Sequence, residues 1–254
     1  HAKRRSIRPA EMKQGTGDRD VGDAGYRAFH APRFAFLLRL LEAYGLNKES
    51  RILDIGASHF TEMARDRFGA RIDTLGFGPE HAGERGDHYE FDLNRAQDRG
   101  AWRADLPKYD VIVMAEVLEH LHVAPQLTLG FVKSLLAPGG RLLLQTPNAA
   151  SLTKRIKLML GKNPYEAIRA DPQNPGHFRE YTVSELRALA SELGFTVERS
   201  QTAFYFDTRS IHDAQGRLVR KSAAGAIRNV VYKALPGPLR EGISMVLISS
   251  RSVL

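Results

Sequence analysis

The chain has 254 residues, with 37 Lys+Arg against 29 Asp+Glu and a formal charge of +8. Its 43% hydrophobic and 26% charged residues exclude a disordered or fibrous chain, and its length suits one large domain carrying insertions. There is no cysteine, so a disulfide scaffold, a cysteine zinc site, an iron–sulfur centre and a thiol nucleophile are all excluded. No uncharged apolar run approaches the ~18 residues of a membrane-spanning helix.

Residues 1–24 are polar, rich in Arg, Lys, Gly and Asp, and lack the apolar stretch of a secretory signal. They are expected to form a flexible basic arm, with a cytoplasmic setting as the default. From Tyr26 the apolar residues Phe29, Phe34, Leu37, Leu38, Leu40, Leu41 and Tyr44 recur at helical spacing, and Gly45 supplies a stop. The period then changes. Short apolar runs at Arg51–Ile55, Ile72–Leu75, His88–Phe91, Tyr109–Met114 and Arg141–Gln145 predict five strands, with helices over Phe60–Phe68 and Ala124–Leu136. Pro138-Gly139-Gly140 predicts a sharp turn before the fifth strand. Runs apolar on both faces and separated by helices argue for a parallel sheet covered on each side. Further along, Val183–Leu193 predicts a helix ending at Gly194, followed by strands at Phe195–Ser200 and Ser244–Ser250. Two long connections remain, at about residues 148–181 and 207–242, where binding and specificity usually reside.

Four segments carry chemistry, in this order. ILDIGAS is a strand ending in an acid and a small-residue turn that opens a helix, at the strand end where α/β sheets bind ligands. FDLN ends the third strand with Asp92 and Leu93, and YDVIVMAEVLEHL turns a buried strand into a loop bearing Glu116, Glu119 and His120. LLAPGGRLLLQTPN supplies a helix end, a turn and the fifth strand. Together with HFREYTVSELRALASELGF, these motifs resemble the class I S-adenosylmethionine (SAM)-dependent methyltransferases over roughly residues 30–200. The nearest subgroup is the one containing ubiquinone-biosynthesis O-methyltransferases and bacterial sugar or polysaccharide methyltransferases.

The resemblance implies an α/β, Rossmann-like, seven-stranded, mostly parallel sheet with helices on both faces and an antiparallel last strand. It implies SAM as cofactor, with Asp54, Gly56, Ala57 and Ser58 along the methionine part, Asp92 and Leu93 at the adenine, and Ala115 and Glu116 beside the sulfonium. The chain departs from the family pattern at Ser58 and Phe60, where further glycines are usual. It departs again at Gly76, where an acid usually grips the ribose. Phe77 is then expected to stack on the adenine, with Glu80 reaching the ribose.

Methyl transfer to a hydroxyl needs close positioning and a base or metal to lower the acceptor's pKa. Glu116, Glu119 and His120, spaced three and four apart, fall near one face of a helical turn. Two carboxylates and an imidazole are a candidate site for Mg²⁺ or Mn²⁺, and the ubiquinone-type relatives use the matching residues for a metal. The alternatives are that Glu119 and His120 only cap the helix, or that His120 acts alone as base. His177 is the second candidate base, with Arg179 positioned to hold an anionic group, unless both merely anchor the segment ahead of a Thr182–Glu185 capping box.

Two basic amphipathic stretches, Ser151–Lys162 and Gly225–Leu235, are read foremost as lid helices with their apolar stripes on the sheet. The other readings are peripheral contact with an anionic membrane, steering of a phosphorylated acceptor, or RNA binding. The expected acceptor is a saccharide, glycolipid or similar small metabolite. Alternatives are a quinone- or polyketide-like aromatic, an RNA, or a non-catalytic SAM-binding module. No nucleic-acid recognition module is evident in the sequence, and the oligomeric state is not readable from it.

Overall fold

The computed structural model describes residues 19–170, 175–212 and 218–249. Helix α1 (Arg19–Ala43) comes first. It begins seven residues before Tyr26, so residues 19–24 of the expected arm are helical backbone, while 1–18 lie outside the described residues. Then follow β1 (Ile52–Ile55), α2 (His59–Phe68), β2 (Ile72–Gly76), β3 (His88–Glu90), β4 (Tyr109–Ala115), α3 (Pro125–Ser134) and β5 (Leu136–Pro147). The second half contains α4 (Leu152–Met159), α5 (Val183–Glu192), β6 (Phe195–Ala203), a small hairpin β7 (Ser210–His212) and β8 (Leu218–Lys221), α6 (Ala223–Ala234) and β9 (Gly242–Ser249).

Seven strands form one sheet in the order β3-β2-β1-β4-β5-β9-β6. The pairs among β1 to β5 are parallel, and β9 runs antiparallel to both β5 and β6. Successive residues of each central strand point to opposite faces, and both faces are apolar. Leu53, Ile55, Ile112, Met114, Leu142 and Leu144 pack under α3 and α5 through Phe131, Val132, Leu186 and Leu189. Ile52, Ile72, Val111, Val113, Leu143 and Val246 pack under α1 and α2 through Phe34, Leu37, Leu41, Phe60 and Ala64.

One expected turn is absorbed into a strand. Pro138-Gly139-Gly140 lies within β5 as a bulge, because pairing steps from Tyr109↔Leu136 straight to Val111↔Arg141. The long connections do hold secondary structure, but α4 does not lie with an apolar stripe on the sheet: none of its side chains is buried.

Candidate methyl-transfer site

The parallel strands end together. Ile55 pairs with Met114 and Ala115 with Gln145, so the turns after β1 and β4 leave the sheet side by side. Gly56 makes that approach feasible. Its φ is +79°, and an added Cβ would meet Val117 Cγ2 at 3.0 Å. Gly56 and Ala57 are exposed, while Ser58 caps α2 in a capping box with Thr61. Asp54 is buried at the end of β1 and accepts from Thr61 Oγ1 at 2.5 Å. Burial raises its pKa to about 7, against the opposing pull of that bond and of Arg33 and Arg65.

Phe77 is 80% exposed, and Phe60 is buried against Phe34, so neither fills the turn. Asp92 Oδ1 accepts from Asn94 N and Nδ2 at 2.9 and 3.1 Å, and Leu93 is buried. Asn94 Oδ1 in turn accepts from His122 N at 3.0 Å, tying the loop after β3 to the loop after β4. Glu80 is committed elsewhere, to an ion pair with Arg103.

Glu116 has φ +58°, the only positive value at a non-glycine among the described residues. A left-handed conformation costs an ordinary residue roughly 1–2 kcal/mol, and such strain collects at functional sites. Its backbone N–H donates to Gln145 O at 2.9 Å, and burial lifts its carboxyl above the usual range against Arg33, His177 and Lys154. Glu119 is wholly buried on the short 3₁₀ turn Leu118–His120. One oxygen, Oε2, accepts from Thr146 Oγ1 at 3.0 Å, and the other has no hydrogen-bond partner. Burial first, and Glu116 second, push its pKa well up.

His120 Nδ1 donates to Gly176 O at 2.9 Å, which leaves Nε2 as the ring's acceptor. Burial also lowers its pKa, favouring the neutral ring. His177 lies edge-on to it, with ring centroids 4.8 Å apart at 80°. His177 Nδ1 bonds Glu180 Oε1 at 3.1 Å, and the other oxygen of Glu180 pairs with Lys154. Burial raises the Glu180 pKa, but the bonds from His177 and Lys154 outweigh it and hold the carboxylate below its usual range. The segment His177–Tyr181 is strapped down by Phe178 N and Arg179 N, which donate to Glu119 O at 2.8 and 3.3 Å.

Potential ligand atoms of Glu119, His120 and His177 lie within 4.8 Å of one another. The sequence pattern grouped Glu116 with Glu119 and His120. Here the cluster consists of Glu119, His120 and His177, while Glu116 stays close enough for its charge to act on Glu119. Two imidazoles and a carboxyl oxygen without a hydrogen-bond partner fit a divalent ion. The capping box at Thr182 and Glu185 is present, and Arg179 pairs with Glu185 at 2.9 Å.

A cavity of about 550 Å³ opens beside this cluster, lined by Tyr165, Glu166, His177, Phe178, Arg179, Glu180 and Glu185 among others. A second cavity, of about 340 Å³, sits at the amino ends of β1, β2 and β3 around Arg51, Arg71 and Asp87. Sequence reasoning missed Arg33 and His30. Both sit on α1, where helical spacing singles out only apolar residues. Arg33 is 4% exposed, its Nε has no partner, and its charge acts on both Asp54 and Glu116. Burial, with help from Arg33, drives the His30 pKa down to about 3.

The strand order and the constellation at the carboxyl ends of β1 and β4 define a class I methyltransferase. Solved structures share this architecture. A chain from the complex of the Trm112 methyltransferase activator of Haloferax volcanii is 13% identical with a TM-score of 0.59, over 92% of this chain and 96% of that one. YcgJ from Bacillus subtilis is 14% identical with a TM-score of 0.51, over 87% and 99%. No curated protein matches the chain in sequence. The methyltransferase-domain family matches residues 26–200, and the chain belongs to it. It is a SAM-dependent methyltransferase.

Proposed function

We propose that the chain methylates a hydroxyl of a saccharide, glycolipid or related polar metabolite. SAM would sit along Asp54, Gly56, Ala57 and Ser58, with Arg33 as a cation for its carboxylate. Asp92 and Leu93 would hold the adenine beneath Phe77, and the sulfonium would lie at Ala115 and Glu116. The observation carrying the reading is the 550 Å³ cavity walled by Glu166, Glu180, Glu185 and Arg179, which reaches the His120–His177 pair through His177. Carboxylates beside the Tyr165 and Phe178 rings suit the hydroxyls and C–H faces of a sugar better than an apolar ring system.

In the transfer the acceptor oxygen attacks the methyl carbon, the C–S bond breaks, and the hydroxyl proton passes to a base. Residues Glu119, His120 and His177 would hold a divalent ion, whose chemistry is to lower the hydroxyl's pKa. Two imidazoles among three donors favour Mn²⁺ over Mg²⁺. Where no ion sits, His120, whose ring burial favours as neutral, and His177 are the bases. Glu180 orients His177 in either case.

Labelled SAM offered with glycan, quinone and RNA acceptors tests the proposal: label should enter the glycan fraction. Transfer to quinone or RNA alone would overturn the acceptor. His177→Ala should reduce turnover at least tenfold while leaving SAM affinity within about twofold, and unchanged turnover would return His177 to a structural role.

A further inference from the structure

Helices α4 and α6 expose what a helix ordinarily hides. In α4 and the residue after it, Leu158, Met159 and Leu160 are 66%, 83% and 66% exposed, and no α4 side chain is buried. In α6 the buried positions are Gly225 and Asn229. Asn229 Nδ2 donates to Asp207 Oδ1 at 3.0 Å, and a Cβ on Gly225 would lie 2.0 Å from Thr208 O. The polar and small side of α6 therefore faces the protein. Its apolar side, Ile227, Val230 and Val231, stands outward at 66%, 69% and 51% exposure.

Both helices stand at the same end of the sheet, because Pro147, Gly242 and Ala203 meet there in register. The start of α4 is fastened to the entry of β9 by Thr153 Oγ1 to Glu241 Oε1 at 2.6 Å. Tyr232 of α6 stacks on Phe204 just past β6. Charge follows the same two segments. Residues 151–162 and 218–235 hold eight Lys and Arg and no acid, equal to the whole net charge of +8. The rest of the chain is electrically balanced. Lys154 turns inward to Glu180, whereas Arg155, Lys157, Lys162, Arg228 and Lys233 are exposed.

We infer that α4 and α6 together form a docking surface for an anionic lipid bilayer, with their apolar side chains in the acyl boundary and the basic ones against headgroups. An apolar helix face ringed by cations of one sign is the pattern of an interfacial helix. A protein partner is a poorer fit, since the cores of such interfaces are depleted in Lys. In a symmetric contact with a second copy the same basic patch would face itself. RNA would use the cations but leave the aliphatic side chains in water. The surface lies at the cofactor end, so an acceptor in the bilayer would meet the site without crossing bulk solvent. The inference does not depend on which acceptor is used.

Flotation with phosphatidylcholine vesicles, with or without phosphatidylglycerol, tests it using the full chain. The bound fraction should rise at least tenfold with the anionic lipid and fall at least tenfold between about 0.05 and 0.5 M salt. Leu160→Asp with Val230→Asp should abolish binding at unchanged melting temperature. Should that variant melt early, Lys157→Glu with Lys162→Glu, which reverses two exposed charges and removes only a 3.5 Å bond from Lys157 Nζ to Pro164 O, should lower binding to the anionic vesicles about tenfold. Equal binding to neutral vesicles, or none to anionic ones at low salt, would overturn the inference. So would a dimer that Val230→Asp dissolves, or retention of RNA in place of vesicles.

Discussion

Replacing Asp54 with Asn removes one ionisation at the buried end of β1 while keeping an oxygen to accept the 2.5 Å bond from Thr61. The native carboxyl has a pKa of about 7 against an ordinary 3.8, chiefly through burial. Three units at ~1.36 kcal/mol each give on the order of 4 kcal/mol. The sign follows from proton linkage. Well below pH 4 both folded and unfolded Asp54 are protonated, and even at pH 4 the unfolded group is only about half ionised, so the burial costs little. Between about pH 4 and 7 the unfolded chain ionises while the native one holds its proton, so wild-type stability falls as pH rises. Above pH 7 the full cost is present. Asn pays none of this, so Asp54→Asn should match wild type at pH 4 and be more stable by roughly 2–4 kcal/mol at pH 8. The upper figure assumes an unfolded chain with fully hydrated Asp54. Urea unfolding of both proteins without cofactor at pH 4, 6 and 8 measures the difference. A difference that does not vary with pH, or a wild type more stable at pH 8, would refute the argument.

Three further variants probe the site. Glu180→Gln removes the carboxylate behind His177 and should weaken Mn²⁺ binding about 10–100-fold by calorimetry, with SAM affinity unchanged; equal Mn²⁺ affinity would detach Glu180 from the ion. Gly56→Ala meets both φ +79° and Val117 Cγ2 at 3.0 Å. It should destabilise by about 1–2 kcal/mol and reduce SAM affinity, read by thermal melting and equilibrium dialysis. Thr182→Ala breaks the capping box of α5 and should cost about 1 kcal/mol in urea unfolding, while Ser184→Ala, two residues on, should cost much less.

The sheet was legible because its strands are buried on both faces. Runs such as Ile52–Ile55 and Tyr109–Ala115 are apolar but for Asp54 and Asp110, so no alternation had to be phased and the boundaries of these two fell within two residues. Gly45 and Gly194 marked helix ends, and both have positive φ. The bulge at Pro138-Gly139-Gly140 was not legible, since the same three residues signal a hairpin turn or a strand that slips its register. Only the partner strand decides which.

The site separates along the same line. Asp54, Gly56, Asp92 and Glu116 follow directly from strand ends, and a parallel sheet gathers strand ends by construction. His177 lies 57 residues after His120, and its place beside that ring depends on the Glu119 carbonyl capturing Phe178 N and Arg179 N. Spacing alone therefore favoured Glu116 as the third donor, since only the fold brings His177 to Glu119 and His120. Arg33 was hidden for a related reason. An apolar stripe identifies which face of α1 is buried, but not that one cation on that face acts on two carboxyls at the ends of β1 and β4. For α6 the periodicity was read with the correct period and the opposite polarity. A hydrophobic face signals burial only where nothing else fastens the helix. Here Asn229 bonded to Asp207 and Thr208, with Gly225 set close against Thr208, fastens the polar side and leaves the aliphatic side to another surface.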